Sequence, residues 1–419
     1  MFTLLPHQKT GVKFLLSREP PLNKTSKIHG AILADTMGLG KTIQTISLIL
    51  NSPLKTTIIF CPKILCEMWK KEINKFAPDL VIHEFNLLGS LGPIFDVIQN
   101  SPNQKHVIIT SYSISWRRKE LLEYHYDRIV CDEAHYFKNI KSKVFKTLVK
   151  LKSTSRILLT GTPIVNCVKD LKTMMNFITK TDIKWNIETM KAFIKERVLR
   201  RSLGDADIIL PKLEINIEPI EGSDENETVI KKVHNFSMPY LEMAIRCVQS
   251  STIPSSLNNG FCKKYELQQF KIDNYKLDKI TEKIIEEKEQ CIVFTRFKDE
   301  QFYLRDKLLN KNASLKIELL NGTTSKEHRD SICSDTSIDV LIVQIIAAGV
   351  GLNLQHFRRS HFTSIPWNPA TLDQAIGRIN RIGQTNDMKV SLYIYNKTFD
   401  QVMMNIINNK REQIEELLS

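Results

Sequence analysis

Short apolar runs recur along this chain, and each closes on small or polar residues. In the first half they are Gly30–Ala34, Thr57–Cys61, Val107–Thr110, Arg128–Asp132 and Arg156–Thr160. In the second half they are Cys291–Thr295, Ile317–Leu320, Val340–Gln344, His361–Ile365 and Val390–Tyr395. Segments with helical character lie between many of them, among them Thr42–Leu50, Glu67–Phe76 and Lys298–Leu309. Apolar strands alternating with helices predict parallel sheets covered on both faces. The expected fold class is α/β: two lobes, each a parallel sheet with helices on both faces, plus helical insertions between them. Such sheets bind ligands at the carboxyl ends of their strands. The polar residues that close the runs are therefore where chemistry is expected.

The stretch from about residue 166 to 288 breaks this rhythm and reads as helix-rich. Glu221–Thr228 is polar, and the Ser/Asn/Gly-rich stretch Ser250–Gly260 reads as a flexible surface loop. The expected domains are 1–212, with a helical protrusion after its third motif, and 213–419, with a helical and loop insertion near 222–288. No tandem repeat and no obvious oligomerisation segment is visible.

The chain's 419 residues suit two or three domains, at roughly 100–200 residues each. A hydrophobic share of 42% against 25% charged is an ordinary globular balance and argues against a disordered chain. The net charge of +13 fits either a solvated basic surface or a polyanionic partner, whose counterions clustered Lys and Arg would displace. Eight cysteines are scattered without a CxxC pair, which disfavours a zinc ribbon. Cys131 and Cys291 sit inside apolar runs and read as core residues of a reduced intracellular protein. No secretory signal is apparent, and no apolar stretch reaches the roughly 20 residues a membrane span needs.

The most informative motif follows the apolar run Ala31–Ala34 and precedes a helix. It reads Asp35-Thr36-Met37-Gly38-Leu39-Gly40-Lys41-Thr42. Glycines let backbone N–H groups turn toward phosphate oxygens, and the helix N-terminus adds a favourable dipole. Lys41 would reach the β- and γ-phosphates, and the Thr42 hydroxyl would ligate magnesium. The strict pattern wants Gly where Asp35 stands. A second motif, Tyr126 to His135, delivers two carboxylates at a strand end: Asp132 for the magnesium shell and Glu133 to orient or activate a water. A third, Thr160-Gly161-Thr162-Pro163, is a turn that could link nucleotide state to lobe movement. The last, Gln374 to Gln384, holds Arg378 and Arg381 three residues apart. That spacing predicts a shared helix face, from which both could stabilise charge on a transferring phosphoryl group. Each motif alone also suits a plain turn, a solvated strand end or a surface basic patch.

Together these residues resemble the SWI/SNF-type ATPases of the helicase-like superfamily two. The resemblance covers nearly the whole chain. It begins at Leu5–Leu15, similar to the family's adenine-recognition segment, and implies that Gln8 meets the adenine. It continues through Met37–Gln44, the acidic motif with Lys138-Asn139 and Ser142-Lys143, and Leu158–Asn166. Leu199-Arg200-Arg201 with Leu210-Pro211-Lys212 looks like the family's junction between lobes. In the second half Val293–Phe297, Asn321–Thr324, Ala347–Leu354 and Trp367-Asn368-Pro369 match, and Arg381-Ile382-Gly383-Gln384 is the most family-specific element. The sequence departs from the family's usual residues at Thr36, Ile346, Ala348, Ser364 and Asn380. The chain is short for the family and shows no bromodomain, chromodomain or zinc-finger signature. In this it resembles the compact forms carried by large DNA viruses, such as the baculoviral global transactivators.

The resemblance implies two RecA-like lobes that bind ATP with Mg2+ in the cleft between them. Asp35, Thr36, Met37, Gly38, Leu39, Gly40, Lys41, Thr42 and Gln8 would hold the nucleotide, with Gly349 and Gln374 also contributing. Lys41, Asp132, Glu133, Arg378 and Arg381 form the expected catalytic set. The two arginines would arrive from the second lobe as the cleft closes. Double-stranded DNA is the implied partner, with nucleosomes or transcription complexes as targets and no membrane. Candidate DNA contacts are Ser111, Tyr112, Asn166, Arg296 and Thr324, positions that equally suit turns or caps. Nuclear localisation follows from the resemblance. Two other readings stay open: a strand-separating helicase, and a transcription regulator that binds DNA or protein without using ATP.

Overall fold

A computed structural model describes residues 3–20, 28–161, 163, 168–181, 183–222, 224–270, 272–348 and 354–418. The chain divides into two compact units, one reaching Ile209 and the other spanning Leu210–Glu412.

The first unit carries seven strands: β1 (Gly30–Leu33), β2 (Thr56–Cys61), β3 (Val81–Phe85), β4 (His106–Ser111), β5 (His125–Asp132), β6 (Lys152–Leu159) and β7 (Val198–Leu199). They form one sheet in the order β3-β4-β2-β5-β6-β1-β7, with every pairing parallel. All residues of β1, β2 and β4 are buried. Burial on both faces is what their unbroken apolar runs require. Leu33, Leu159 and Asp132 lie in register across β1, β6 and β5. The residues that follow them therefore emerge side by side at the carboxyl edge. Three labelled helices matter for the site: α1 (Pro6–Leu16), α2 (Lys41–Asn51) and α3 (Cys66–Phe76).

The second unit carries β8 (Leu213–Ile220), β9 (Cys291–Thr295), β10 (Ile317–Leu320), β11 (Val340–Gln344), β12 (Arg359–Phe362) and β13 (Met388–Tyr395). Their order is β10-β11-β9-β12-β13-β8, again parallel throughout. Neighbouring strand residues serve opposite cores. Ile292 and Phe294 join one apolar cluster, and Cys291 and Val293 join another. Two parallel sheets covered by helices are the fold class expected from the runs.

The structure also departs from the sequence reading. β3 and β8 are edge strands, and their half-exposed residues hide the apolar signature of a central strand. β12 lies two residues earlier than expected, beginning at Arg359, which pairs with Glu289. Ser250–Gly260 is not a flexible surface loop. A helix spans Tyr240–Thr252, a π-helical turn spans Asn258–Cys262, and Ser250, Ser251, Leu257 and Phe261 are buried. The hydroxyls of Ser250 and Ser251 are satisfied inside the helix, donating to Cys247 O at 2.8 Å and Val248 O at 3.1 Å. Serine is compatible with a buried helix when it bonds back in this way.

Candidate functional site

The loop between β1 and α2 turns on two glycines in the left-handed region, Gly38 at φ 93° and Gly40 at φ 75°. A side chain at either would strain the backbone. A Cβ on Gly40 would also lie 2.7 Å from Gln8 Nε2. Gln8 thus packs from α1 directly against the loop, and its Oε1 accepts from Leu5 N at 3.0 Å. His7 Nε2 lies 3.2 Å from Leu39 O. Lys41 opens α2, and its ammonium donates back to the loop carbonyls of Asp35 at 2.7 Å and Thr36 at 3.3 Å. Thr42 is the second residue of the same helix and is partly exposed. Met37 and Leu39 flank the glycine turn, with Leu39 fully buried.

Asp35 is completely buried. Arg201 Nε and Nη2 donate to its two carboxylate oxygens at 3.0 and 2.6 Å, and Gln44 Nε2 donates at 3.2 Å. Arg201 Nη1 also donates to His7 O, while Thr36 N donates to Arg201 O at 2.9 Å. A carboxylate therefore replaces the first glycine of the strict pattern because a guanidinium and the Gln44 side-chain amide are built around it. Thr36 Oγ1 is buried with no hydrogen-bond partner.

The carboxylate pair stands at the end of β5. Asp132 Oδ2 accepts from Trp69 Nε1 at 2.9 Å, and Oδ1 accepts from Glu133 N at 2.9 Å. Burial and the neighbouring Glu133 push Asp132 up to about 6, while Lys41 draws it down. A carboxylate so raised gains from a nearby cation. Glu133 adopts φ 50°, and His135 Nδ1 lies 3.3 Å from its Oε2. Burial holds His135 down to about 4, so this ring is neutral at pH 7 and the contact is not an ion pair.

At the end of β6, Thr160 N donates to Leu33 O at 3.1 Å. A Cβ on Gly161 would meet Met37 Cγ at 3.3 Å and Lys41 Nζ at 3.7 Å. The third motif thus touches the phosphate-type loop. Thr162 lies outside the described residues. Gln8, the loop 35–42, Asp132-Glu133 and Thr160-Gly161 are brought together within the first unit.

In the second unit the helix Pro369–Ile376 carries Gln374, which is half-buried. The expectation that Arg378 and Arg381 share a helix face is corrected. The helix ends at Ile376 and is capped by Gly377, whose N donates to Asp373 O at 2.8 Å. Residues 378–380 fold into a tight turn, with Ile379 N on Ile376 O at 3.0 Å. Gly383 then turns the chain at φ 102°. Gln384 Nε2 donates to the carbonyls of Gln355, Phe357 and Ile379 at 2.9, 3.3 and 3.3 Å. The family-specific ending is thus a tie that fixes the arginine-bearing turn. Arg378 is 5% exposed. Gly349 lies outside the described residues.

The candidate DNA contacts fare differently. Tyr112 is not presented to a ligand: it is buried, and its hydroxyl donates to Asp132 O at 2.6 Å. Ser111 is also buried and meets Ser113 Oγ at 2.9 Å. Thr324 closes the turn after β10, its Oγ1 accepting from Asn321 N at 3.0 Å. The guanidinium of Arg296 stacks 4.2 Å over Trp367, and burial lowers it to about 10. Arg296 Nη1 is buried with no hydrogen-bond partner. Asn166 lies outside the described residues. Of the departures, Ile346 is 76% exposed and Ser364 is buried. Asn380 Oδ1 is buried with no hydrogen-bond partner.

Arg201 and Trp69 were not marked as site residues by the sequence. The burial of Asp35 is the signal that would have demanded a cation, since an unpaired buried carboxylate is strongly disfavoured. No local pattern reveals that Trp69 reaches Asp132.

Residues 7–333 match the SNF2-related domain family. The uncharacterized ATP-dependent helicase MG018 of Mycoplasma genitalium is 28% identical, over 99% of this chain and 42% of that protein. The ISWI chromatin-remodeling complex ATPase ISW1 of Saccharomyces cerevisiae is 26% identical, over 96% of this chain and 39% of that protein. The probable global transactivator of Orgyia pseudotsugata multicapsid polyhedrosis virus is 25% identical, over 95% of this chain and 86% of that protein. The chain spans about half the length, or less, of the first curated relatives it matches. With most of its length matched, the chain belongs to the SNF2-related family of helicase-like ATPases.

Proposed function

We propose that this chain is a DNA-dependent ATPase that translocates on double-stranded DNA and remodels protein–DNA complexes in transcription or chromatin regulation. One observation carries the reading. The glycine loop with Lys41, the Asp132-Glu133 pair and Thr160-Gly161 emerge from neighbouring in-register strands at one carboxyl edge. That edge is where parallel α/β sheets hold nucleotides.

Gln8 packs against Gly40 and is assigned to the adenine. Lys41 exchanges its loop carbonyls for the β- and γ-phosphates, which offer it full negative charge. The donor set suits magnesium: Thr42 and Asp132 supply hard oxygens, and Asp132 is raised by burial with a like charge beside it. Bound there, magnesium would neutralise charge on the phosphate oxygens. Glu133 orients the attacking water, and neutral His135 leaves its negative charge intact. Arg378 and Arg381 are assigned to stabilising charge on the transferring phosphoryl group.

Duplex DNA as partner is supported by the net charge of +13 and by the names of relatives such as ISW1. Arg296, Thr324 and Asn166 are kept as the proposed contacts. Binding dominated by phosphates would show weak sequence preference and steep salt dependence. The proposed location for a chain acting on chromatin is the nucleus. The reading is tested by titrating purified chain with duplex DNA while following ATP turnover and displacement of a bound block. A forked duplex in the same assay discriminates translocation from strand separation: release of the strand would favour the helicase reading.

A further inference from the structure

β2 ends at Cys61 and α3 begins at Cys66. Across the short turn Lys63–Leu65 between them, the two Sγ atoms lie 3.5 Å apart. Cys61 is buried and Cys66 is partly exposed, so the pair has one shielded sulfur and one that solvent reaches. Their mutual hydrogen bond holds the Cys66 thiol below its ordinary range. One turn along α3, Trp69 Nε1 donates to Asp132 Oδ2 at 2.9 Å. Residues three apart share a helix face, so Cys66 and Trp69 move together.

We propose that Cys61 and Cys66 form a dithiol oxidised by peroxide, and that their disulfide disables the nucleotide site by withdrawing Trp69 from Asp132. The consequence for activity rests on the role proposed above for Asp132. Formation of the bond does not. Cys66, as thiolate, attacks one oxygen of hydrogen peroxide. The O–O bond breaks, and the departing hydroxide takes up the proton Cys66 had released, giving water. The Cys61 sulfur then attacks the resulting sulfenic sulfur. The S–O bond breaks, and hydroxide leaves with the Cys61 proton as a second water. The two thiols lose two electrons, and the peroxide gains them. A disulfide needs its sulfurs at roughly 2.05 Å, so they must close by about 1.5 Å. Close-packed interiors transmit a shift of that size. Cys61 sits at the end of a central strand, so the first turn of α3 is the part that moves.

The test exposes the reduced chain to equimolar hydrogen peroxide, followed by alkylation, peptide mapping and ATPase assay with duplex DNA. The expected result is a Cys61–Cys66 linked peptide and a loss of turnover of about tenfold, reversed by dithiothreitol, as for losing a hydrogen bond to a charged group. Cys66→Ser should keep its turnover through the same treatment. Oxidation of other cysteines without this linkage overturns the proposal, as does full linkage with unchanged turnover. If the reduced chain hydrolyses no ATP, the proposed function fails instead. The linked peptide then decides the dithiol alone, and a tryptophan fluorescence change on linkage, lost in Trp69→Phe, decides the withdrawal of Trp69; absence of either overturns the proposal.

Discussion

Arg201 holds Asp35 from 166 residues away, donating to both carboxylate oxygens at 3.0 and 2.6 Å. The segment that leaves the first unit thereby clamps the loop that carries Lys41. Arg201→Ala leaves a fully buried carboxylate with only Gln44 Nε2 as a donor. Removing one partner of a buried pair costs about 3–5 kcal/mol. We expect a lower unfolding midpoint and nucleotide affinity reduced by about tenfold or more, read by calorimetric titration with ADP. Asp35→Asn should weaken the effect of Arg201→Ala in a double-mutant cycle, because the two residues act through one contact. Additive losses would show that the clamp does not act on the loop.

Gly40→Ala is expected to be worse than its small size suggests. The φ of 75° is strained for alanine, and its Cβ would sit 2.7 Å from Gln8 Nε2. Gln8 must then leave the loop. Nucleotide affinity should fall by about tenfold, whereas Gly89→Ala, whose nearest neighbour would be 3.9 Å away, should leave it unchanged. Equal behaviour of the two variants would contradict the role given to Gln8.

The proposed catalytic groups separate by what they spare. Lys41→Ala should lose both nucleotide binding and turnover. Glu133→Gln should keep binding and lose turnover by about 10²-fold or more. Arg381→Ala should also keep binding, with turnover reduced by about 10³-fold. Loss of nucleotide binding in Arg381→Ala would remove it from the phosphoryl-transfer step.

Glu300 gives a prediction about pH. It is fully buried, and burial pushes it up to about 7. It accepts from Phe297 N at 3.0 Å and from the Thr363 hydroxyl. A folded value above the unfolded one means that the native chain binds this proton more tightly. Its contribution is therefore most favourable in acid and is lost as pH rises from about 4.5 through about 7. Glu300→Gln keeps the acceptor for Phe297 N and removes the charge. In urea melts its stability relative to the parent chain should rise between pH 5 and pH 8. A difference that does not vary with pH would show that Glu300 does not titrate in this window.

The sequence made the site's floor plan legible because the chemistry sits where apolar runs stop. Asp132 closes one such run, Leu33 and Leu159 stand one residue before the close of two others, and the sheet sets the three in register. Contacts made across the fold were not legible. Nothing near Arg201 announces Asp35, and nothing near Trp69 announces Asp132. Spacing alone also misplaced Arg378 and Arg381, since Gly377 and the Gln384 tie end the helix that a three-residue interval suggests. Tyr112 followed a strand end and read as a DNA contact, but its hydroxyl is turned inward to support the backbone of Asp132. Ser250–Gly260 read as a loop from composition, while buried hydroxyls bonding back to carbonyls allow it to be packed.

ATP turnover by this chain is proposed to depend on duplex DNA. This dependence is tested most directly by steady-state ATP hydrolysis by the purified chain with magnesium, with and without saturating double-stranded DNA, at several salt concentrations. Turnover should rise about tenfold or more with DNA, decline steeply as salt increases, and vanish in Glu133→Gln. Turnover absent under all conditions, or present at the same rate without DNA, would contradict it.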